Sequence, residues 1–314
     1  MVTIAGGVGA AKFLRGLAAA RADAARGDVA VVNVADDFSL HGLRICPDLD
    51  TVSYTLAGLV NPQTGWGRAD ETWTTRNELE RLGGQTWFGL GDKDLALHLY
   101  RTQRTADGAG LAQITREITA SLDITMNIVP ATEAPVETKV SVVGEGEISF
   151  QEYFVGRRHD VAVDAVRFSG AADARPAPGV LEAIGDATCV VVAPSNPIVS
   201  IGPVLAIPGI REALTERRDV VVAISPIVGG KALKGPADRM LTELGHESTA
   251  SGVAELYAEF ASALVVDTVD ASQASDIERL GLECIVTDTI MSDVDVAAAL
   301  ATTTIETISN RGGA

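Results

Sequence analysis

The chain has 314 residues, 46% of them hydrophobic and 21% charged, with a formal net charge of −17 from 25 basic and 42 acidic side chains. That length can bury a sizeable core as one large domain or one domain with an insertion. So acidic a balance excludes an extended nucleic-acid surface, which requires clustered Lys and Arg, so an anionic ligand must be received by local donors or a metal.

Strand-like and helix-like segments alternate from the start. "VTIA" reads as a strand, and a helix follows from Ala10 to about Arg21. "VAVVNVADD" is a second strand ending in acids. "DLDTVSYTLAGLV" has Leu49, Val52, Leu56 and Leu59 at helical spacing, with Asp48 as the expected N-cap and Asp36 as a solvated acid. Residues 61–73 read as loop. "WFGLGDKDLALHLYRTQ" reads as a short strand, a turn and a helix, and "GLAQITREITASL" as another helix. Around a Gly-Glu-Gly turn, "ETKVSVVGEGEISFQEYFVGRR" alternates with period two, which predicts a hairpin within a smaller inserted subdomain over about 130–170. The apolar runs "ATCVVVAPSNP", "DVVVAISPIVGG", "SALVVDTVD" and "LECIVTDTI" then suit strands buried on both faces. The expectation is a single α/β nucleotide-binding domain over 1–314. Its sheet is doubly wound, mainly parallel and Rossmann-like, with ligands beyond the carboxyl ends of the strands.

Cys46, Cys189 and Cys284 form no CxxC pair and suggest neither a disulfide framework nor zinc. No apolar run approaches the roughly 20 residues of a membrane span. The sequence is read as a soluble cytoplasmic protein with no membrane or nucleic-acid partner.

The turn "GGVGAAK" places Gly6, Gly7 and Gly9 where backbone can approach a phosphate at a helix start. It fits neither common fingerprint. Lys12 stands where a dinucleotide site wants Gly or Ala, and the Gly-Lys-Ser/Thr of a P-loop is missing. A Lys in the first helical turn suits a bound diphosphate. "NVADD" and "PDLDT" bring acids to two successive strand and helix ends. Asp37 and Asp50 are candidates for a metal or substrate role, since Mg²⁺ favours one or two carboxylates plus phosphate oxygens. His41, Cys46 and His98 read as structural, and helix-dipole placement accounts for Asp92 and Asp94. Ser195, Asn196 and Ser200 offer short polar groups in one strand-end loop. Ser225, Lys231 and Lys234 do so in another, and there the two lysines are candidates for an anion.

Taken in order, "GGVGAAK", "NVADD", "PDLDT", "WFGLGDKDLALHL", "APSNPIVSIGP", "ISPIVGGKALKGPA" and "TDTIMSD" resemble the 2-phospho-L-lactate transferase family of coenzyme F-420 biosynthesis, most closely its actinobacterial phosphoenolpyruvate-transferring branch. The likeness spans essentially the whole chain. It implies an acceptor, the deazaflavin alcohol Fo, and a donor in which phospholactate or phosphoenolpyruvate is joined to GMP through a diphosphate. It implies that Asp37 and Asp50 hold Mg²⁺, with Asp50 next to the acceptor hydroxyl. It also implies that Gly6, Gly7, Gly9, Lys12, Ser195, Asn196, Ser225 and Lys231 receive the GDP portion. Trp66, Trp87 and Phe88 become candidates for stacking on the deazaflavin. Members often carry a Lys where this chain has Gly89, and Lys93 is the nearest substitute. A homodimer is the family-level expectation. The rival reading is a nucleotide-sugar-binding regulatory protein of the gluconeogenesis-factor type, from which "PDLDT" and "GDKD" distinguish this chain. An NAD-dependent dehydrogenase is disfavoured by Lys12.

Overall fold

The structure, a computed structural model, describes residues 1–309; residues 310–314 of the expected domain lie outside the described residues. Seven parallel strands form the central sheet. Their order across it is Glu283–Val286, Ala263–Val266, Val221–Ile224, Val190–Val192, Val2–Ala5, Val29–Val32 and Asn127–Pro130. The four late apolar runs are therefore all strands of this sheet, on one side of the N-terminal strand.

Alternation along the strands sorts the core into two layers. Val2, Ile4, Val190, Val192 and Ala223 face one side, against the helices Val180–Asp186, Ile210–Glu216 and Ala250–Tyr257. Ala5, Val191, Val222 and Ile224 face the other. That side is covered by α1 (Gly7–Arg21), α2 (Pro47–Leu56) and the C-terminal helix Val294–Ser309. In α1, Ala10, Phe13, Leu14 and Leu17 recur at helical spacing and are fully buried. Gly16 lets α1 close on the C-terminal helix: a Cβ there would stand 2.3 Å from the Ala297 carbonyl carbon.

The Gly-Glu-Gly turn joins two antiparallel strands, Glu137–Val142 and Gly146–Ser149, and a third, Val163–Ser169, pairs with the first. This small sheet leads into an aromatic segment, Phe150–Phe154, that reaches the central sheet's C-terminal edge.

Several local expectations change. The strand expected around Trp87 is absent; the segment runs irregularly into α4 (Asp92–Ala106). A helix, α3 (Thr74–Arg81), follows the loop at 61–73 and buries none of its residues, so it carries no apolar stripe to betray it. "LECIVTDTI" is an edge strand, and Cys284 is half-buried rather than buried. The N-cap of α2 is Cys46, with Pro47 in the first turn, and Asp48 makes no capping bond.

Candidate active site

Strand order reverses between Val2–Ala5 and Val190–Val192, and chain connections leave that boundary in opposite directions. Such a switch point opens a crevice beyond the strand ends. A cavity of about 790 Å³ lies there. Its volume falls within the range of about 300–1,000 Å³ typical of small-molecule sites.

The glycine turn forms the cavity floor. Gly7 adopts φ +69°, and a Cβ on Gly9 would stand 2.1 Å from the Pro194 carbonyl oxygen. Ser195 Oγ donates to the Gly6 carbonyl at 2.7 Å, which fixes the turn against the Pro194–Ser200 loop. Asn196 is committed locally, its Oδ1 accepting from the N–H groups of Ile198 and Val199. Ser225 Oγ donates to the Ile227 carbonyl. Gly6, Gly7, Gly9, Lys12, Ser195, Asn196 and Ser225 all line the cavity.

Four carboxyl groups line the cavity: Asp36, Asp48, Asp50 and Asp94. Asp48 is buried, not a solvated cap; its Oδ2 accepts from Asn33 Nδ2 at 3.0 Å, and burial raises its pKa to about 6. Asp36 is buried rather than solvated. Its Oδ1 has no hydrogen-bond partner, and burial, then the neighbouring Asp48 and Asp37, push its pKa well above the carboxylate range. Asp50 differs, because it has its own cation. Arg101, only 2% exposed, donates to both Asp50 oxygens, and His98 Nδ1 lies 3.7 Å away. Burial drives His98 down to about 4, so its ring is neutral near pH 7. Asp94 is raised to about 6 by burial.

Asp37 does not line the cavity. It lies behind the wall, where Cys46 Sγ donates to its Oδ2 at 2.9 Å and Arg44 reaches the same oxygen at 3.5 Å. Burial raises Asp37 to about 7 and raises the Cys46 thiol, consistent with a protonated donor.

Two amines line the cavity as well. Lys12 Nζ donates to the Met291 carbonyl at 3.1 Å, and Lys234 Nζ to the Thr64 carbonyl at 2.9 Å. Neither is in an ion pair among the described residues, and burial, then Lys234, lowers the pKa of Lys12. Lys231 and Lys234 are both exposed, but only Lys234 lines the cavity, so Lys234 is the cavity lysine of that loop. Lys93 is also off the wall, exposed, with Nζ on the Ala69 carbonyl at 3.2 Å. Trp87 packs edge to face on Phe88, at 5.7 Å between centroids, and lies off the wall; Trp66, Phe88 and Gly89 are on it. Asp92 serves α3, accepting from the backbone N–H groups of Thr74 and Thr75.

Sequence reasoning missed two parts of the wall, Tyr54 and the Phe150–Val155 segment, and gave no role to Thr289–Ser292, which lies within the quoted "TDTIMSD". Aromatics are only 4% of the chain, so two phenylalanines in "FQEYF" after a hairpin were the available signal for the second.

Four buried or part-buried carboxyl groups and two lysines that form no ion pair among the described residues line one cleft. This suits a ligand with a phosphorylated end and a cation-binding middle, in a doubly wound α/β protein. Among the described residues, no group of three or more His, Cys, Asp and Glu is arranged to hold a metal alone, and no single helix is long and apolar enough to cross a membrane. The model of the 2-phospho-L-lactate transferase family (CofD) matches residues 1–307. The chain belongs to that family, whose transferases act in coenzyme F-420 biosynthesis, and it is a transferase. It is 47% identical over 312 residues to a phosphoenolpyruvate transferase of Streptomyces griseus, covering 98% of this chain and 97% of that one. It is 40% identical over 313 residues to a phosphoenolpyruvate transferase of Mycolicibacterium smegmatis, covering 96% of each. A crystal structure of a Bacillus halodurans protein of the upf0052 family superposes with a TM-score of 0.63 at 18% identity, covering 98% of both chains. That likeness concerns the fold alone.

Proposed function

We propose that this chain transfers a phosphoenolpyruvyl or phospholactyl group from a guanylyl diphosphate donor to the ribityl hydroxyl of Fo, releasing GMP and giving dehydro-coenzyme F-420-0 or F-420-0. The observation that carries this reading is one cavity lined both by amines, at Lys12 and Lys234, and by acids, at Asp36, Asp48, Asp50 and Asp94. Family membership and the named actinobacterial relatives support the transferred group.

In the reaction, the hydroxyl oxygen of Fo bonds to the phosphorus bearing the acid. The bond from that phosphorus to the bridging oxygen breaks, and GMP leaves with the electron pair. Such transfers rely on positioning and charge stabilisation. The glycine turn and Lys12 receive the nucleotide phosphates, with Lys234 beside them. Asp50, held by Arg101, is the carboxylate we assign to accept the hydroxyl's proton. Trp66, Phe88 and Gly89 border the acceptor ring. Neutral His98 adds no competing charge there.

Mg²⁺ fits the acids of the cavity by the chemistry of their donors. Asp36 has an unpartnered buried oxygen, and Asp48 is destabilised by burial, so a divalent cation would relieve both. Of the pair expected from sequence, Asp37 also has an unpartnered buried oxygen but lies off the cavity wall with Arg44 at 3.5 Å, and Asp50 is taken up by Arg101. Asp36 and Asp48 are therefore the residues we assign to the metal, with Asp50 adjoining. When bound, Mg²⁺ supplies charge neutralisation to the diphosphate. Asp36→Asn and Asp48→Asn should each weaken Mg²⁺ binding by at least about tenfold, while Asp37→Asn should change it little. Isothermal titration with Mg²⁺ and GDP checks this.

A further inference from the structure

Asp267 is 3% exposed, directly after the strand Ala263–Val266, and it does not line the cavity. Its two oxygens serve different partners. Oδ1 stays local, accepting from the Val269 N–H at 3.2 Å and from Thr268 Oγ1 at 3.3 Å, an ordinary cap for the short helical turn that follows. Oδ2 reaches the loop after the last strand, where it accepts from both the N–H and the Oγ1 of Thr289, each at 3.0 Å. A local cap accounts for the first oxygen and not for the second. Burial alone would raise the pKa of Asp267, but the hydrogen bonds from Thr289 and Val269 outweigh it and leave the carboxyl below its ordinary value. It is therefore charged near neutral pH, and bonds to a charged acceptor are stronger than neutral ones.

What Asp267 holds is a wall of the cavity, since Thr289, Ile290, Met291 and Ser292 all line it. The far end of that segment is anchored too. The Ser292 N–H donates to the Ile290 carbonyl at 2.8 Å, and Asp293 Oδ1 accepts from the N–H groups of Asp295 and Val296 at the start of the C-terminal helix. Between the two anchors stands the Met291 carbonyl, which accepts from Lys12 Nζ at 3.1 Å. The Lys12 amine makes no other hydrogen bond among the described residues. A long lysine chain otherwise samples many rotamers, so this carbonyl sets where the charge lies.

We propose that Asp267 is a positioning residue for Lys12: by gripping Thr289 it fixes the Met291 carbonyl on which the Lys12 ammonium rests, and so places that charge for the diphosphate of the donor substrate. This deepens the function proposed above and rests on it. Asp267 touches no ligand and acts only through Thr289, Met291 and Lys12. The carboxylate is thus the buried end of a chain of contacts that links two strand-end loops to the first turns of α1.

The test has one readout without ligand and one with it. In the free protein, Lys12 and Lys234 are acetylated with a limiting amount of acetic anhydride, and the rates are read from peptide masses. An ammonium held on a carbonyl is unreactive, so release of Lys12 speeds its modification. Asp267→Asn keeps the shape and removes the charge. The inference predicts Lys12 acetylated about three- to tenfold faster in this variant, the scale of a lost charge-assisted hydrogen bond, with Lys234 unchanged. Thr289→Val, which loses only the Oγ1–H, should raise the Lys12 rate as well and decides alone if Asp267→Asn does not fold. Thr289→Ser should restore the rate. With GDP as ligand, Asp267→Asn should weaken equilibrium binding by about three- to tenfold. It should add nothing once Lys12 is replaced in Lys12→Ala, and keep its full effect in Lys234→Ala. Unchanged Lys12 acetylation in Asp267→Asn and Thr289→Val overturns the inference. So does an equal rise at both lysines, which would signal general loosening, and so does a loss of GDP affinity that is the same with and without the Lys12 amine. If the wild type binds no GDP, the donor assignment fails, and the acetylation rates still decide the inference.

Discussion

Arg101 donates through both terminal nitrogens to the two carboxylate oxygens of Asp50, and the pair is buried at the wall of the cavity. Arg101 also reaches the Arg44 carbonyl at 3.4 Å, which ties α4 to the hairpin before α2. A buried pair of this kind is a poor source of net stability, because desolvation offsets the attraction, but removing one partner leaves a bare charge. Arg101→Met should therefore cost on the order of 3–5 kcal/mol in folding free energy. Arg101→Lys should cost less, since it keeps the charge and loses the fork. Chemical denaturation of the three proteins checks the order. Equal stability of wild type and Arg101→Met would mean that Asp50 finds another partner.

The lysines separate by position. Lys12→Ala and Lys234→Ala should each raise the donor KM by about tenfold or more, the scale of a lost charged hydrogen bond. Lys231→Ala should leave it within about twofold, as for an exposed charge off the site. Steady-state kinetics over a range of donor concentrations decide this. A larger effect at Lys231 than at Lys234 would contradict the assignment.

Acid titration gives the metal-free protein an unusual pH profile. Asp37 is raised from 3.8 to about 7, and Asp48 and Asp94 to about 6. A carboxyl with a raised folded pKa stabilises the fold fully below its unfolded pKa and loses that contribution as pH rises through the folded value. His98, lowered from 6.5 to about 4, acts in the opposite sense between those values. With Asp36, also raised by burial, four carboxyls against one imidazole leave a net decline. The melting temperature in chelator should fall as pH rises from about 4 to about 7, and Mg²⁺ should reverse most of the fall near neutrality. A curve that climbs over that range without metal would refute the burial argument.

Much of this was legible in the sequence, and the rest was hidden for identifiable reasons. The glycine turn and the runs around Val190–Val192 and Val221–Ile224 were readable because strands buried on both faces show as uninterrupted apolar residues. Asp50 was readable from its motif. Arg101 was not: "DKDLALHLYRTQ" looks like a solvated helix, and only the hairpin at Phe38–Ile45 packing on it buries the guanidinium. Which lysine of "GGKALKG" lines the cavity depends on the short antiparallel pair Ile227–Val228 and Lys231–Ala232, a register that spacing does not encode. Asp48 was misread because an acid at a helix start has a sufficient local explanation, while its actual partner, Asn33, comes from another strand end.

Packing beyond the site can be tested at Gly16. Alanine gains about 1 kcal/mol of helix propensity over glycine. Here its Cβ would run into the Ala297 backbone at 2.3 Å, and overpacking costs roughly 1–3 kcal/mol or more when backbone must move. Gly16→Ala should therefore lower stability despite the better propensity, as measured by denaturant titration. A stabilised variant would show that α1 and the C-terminal helix are less closely packed than described.

The most direct test of the central claim is one set of reactions read by mass spectrometry. Purified protein, Fo and Mg²⁺ are incubated separately with the enolpyruvyl and the phospholactyl guanylyl diphosphates. The account predicts GMP release together with a new Fo phosphodiester, with the faster donor identifying the natural acid. No phosphodiester from either donor, alongside tight guanine nucleotide binding, would contradict it and leave a nucleotide-binding protein in its place.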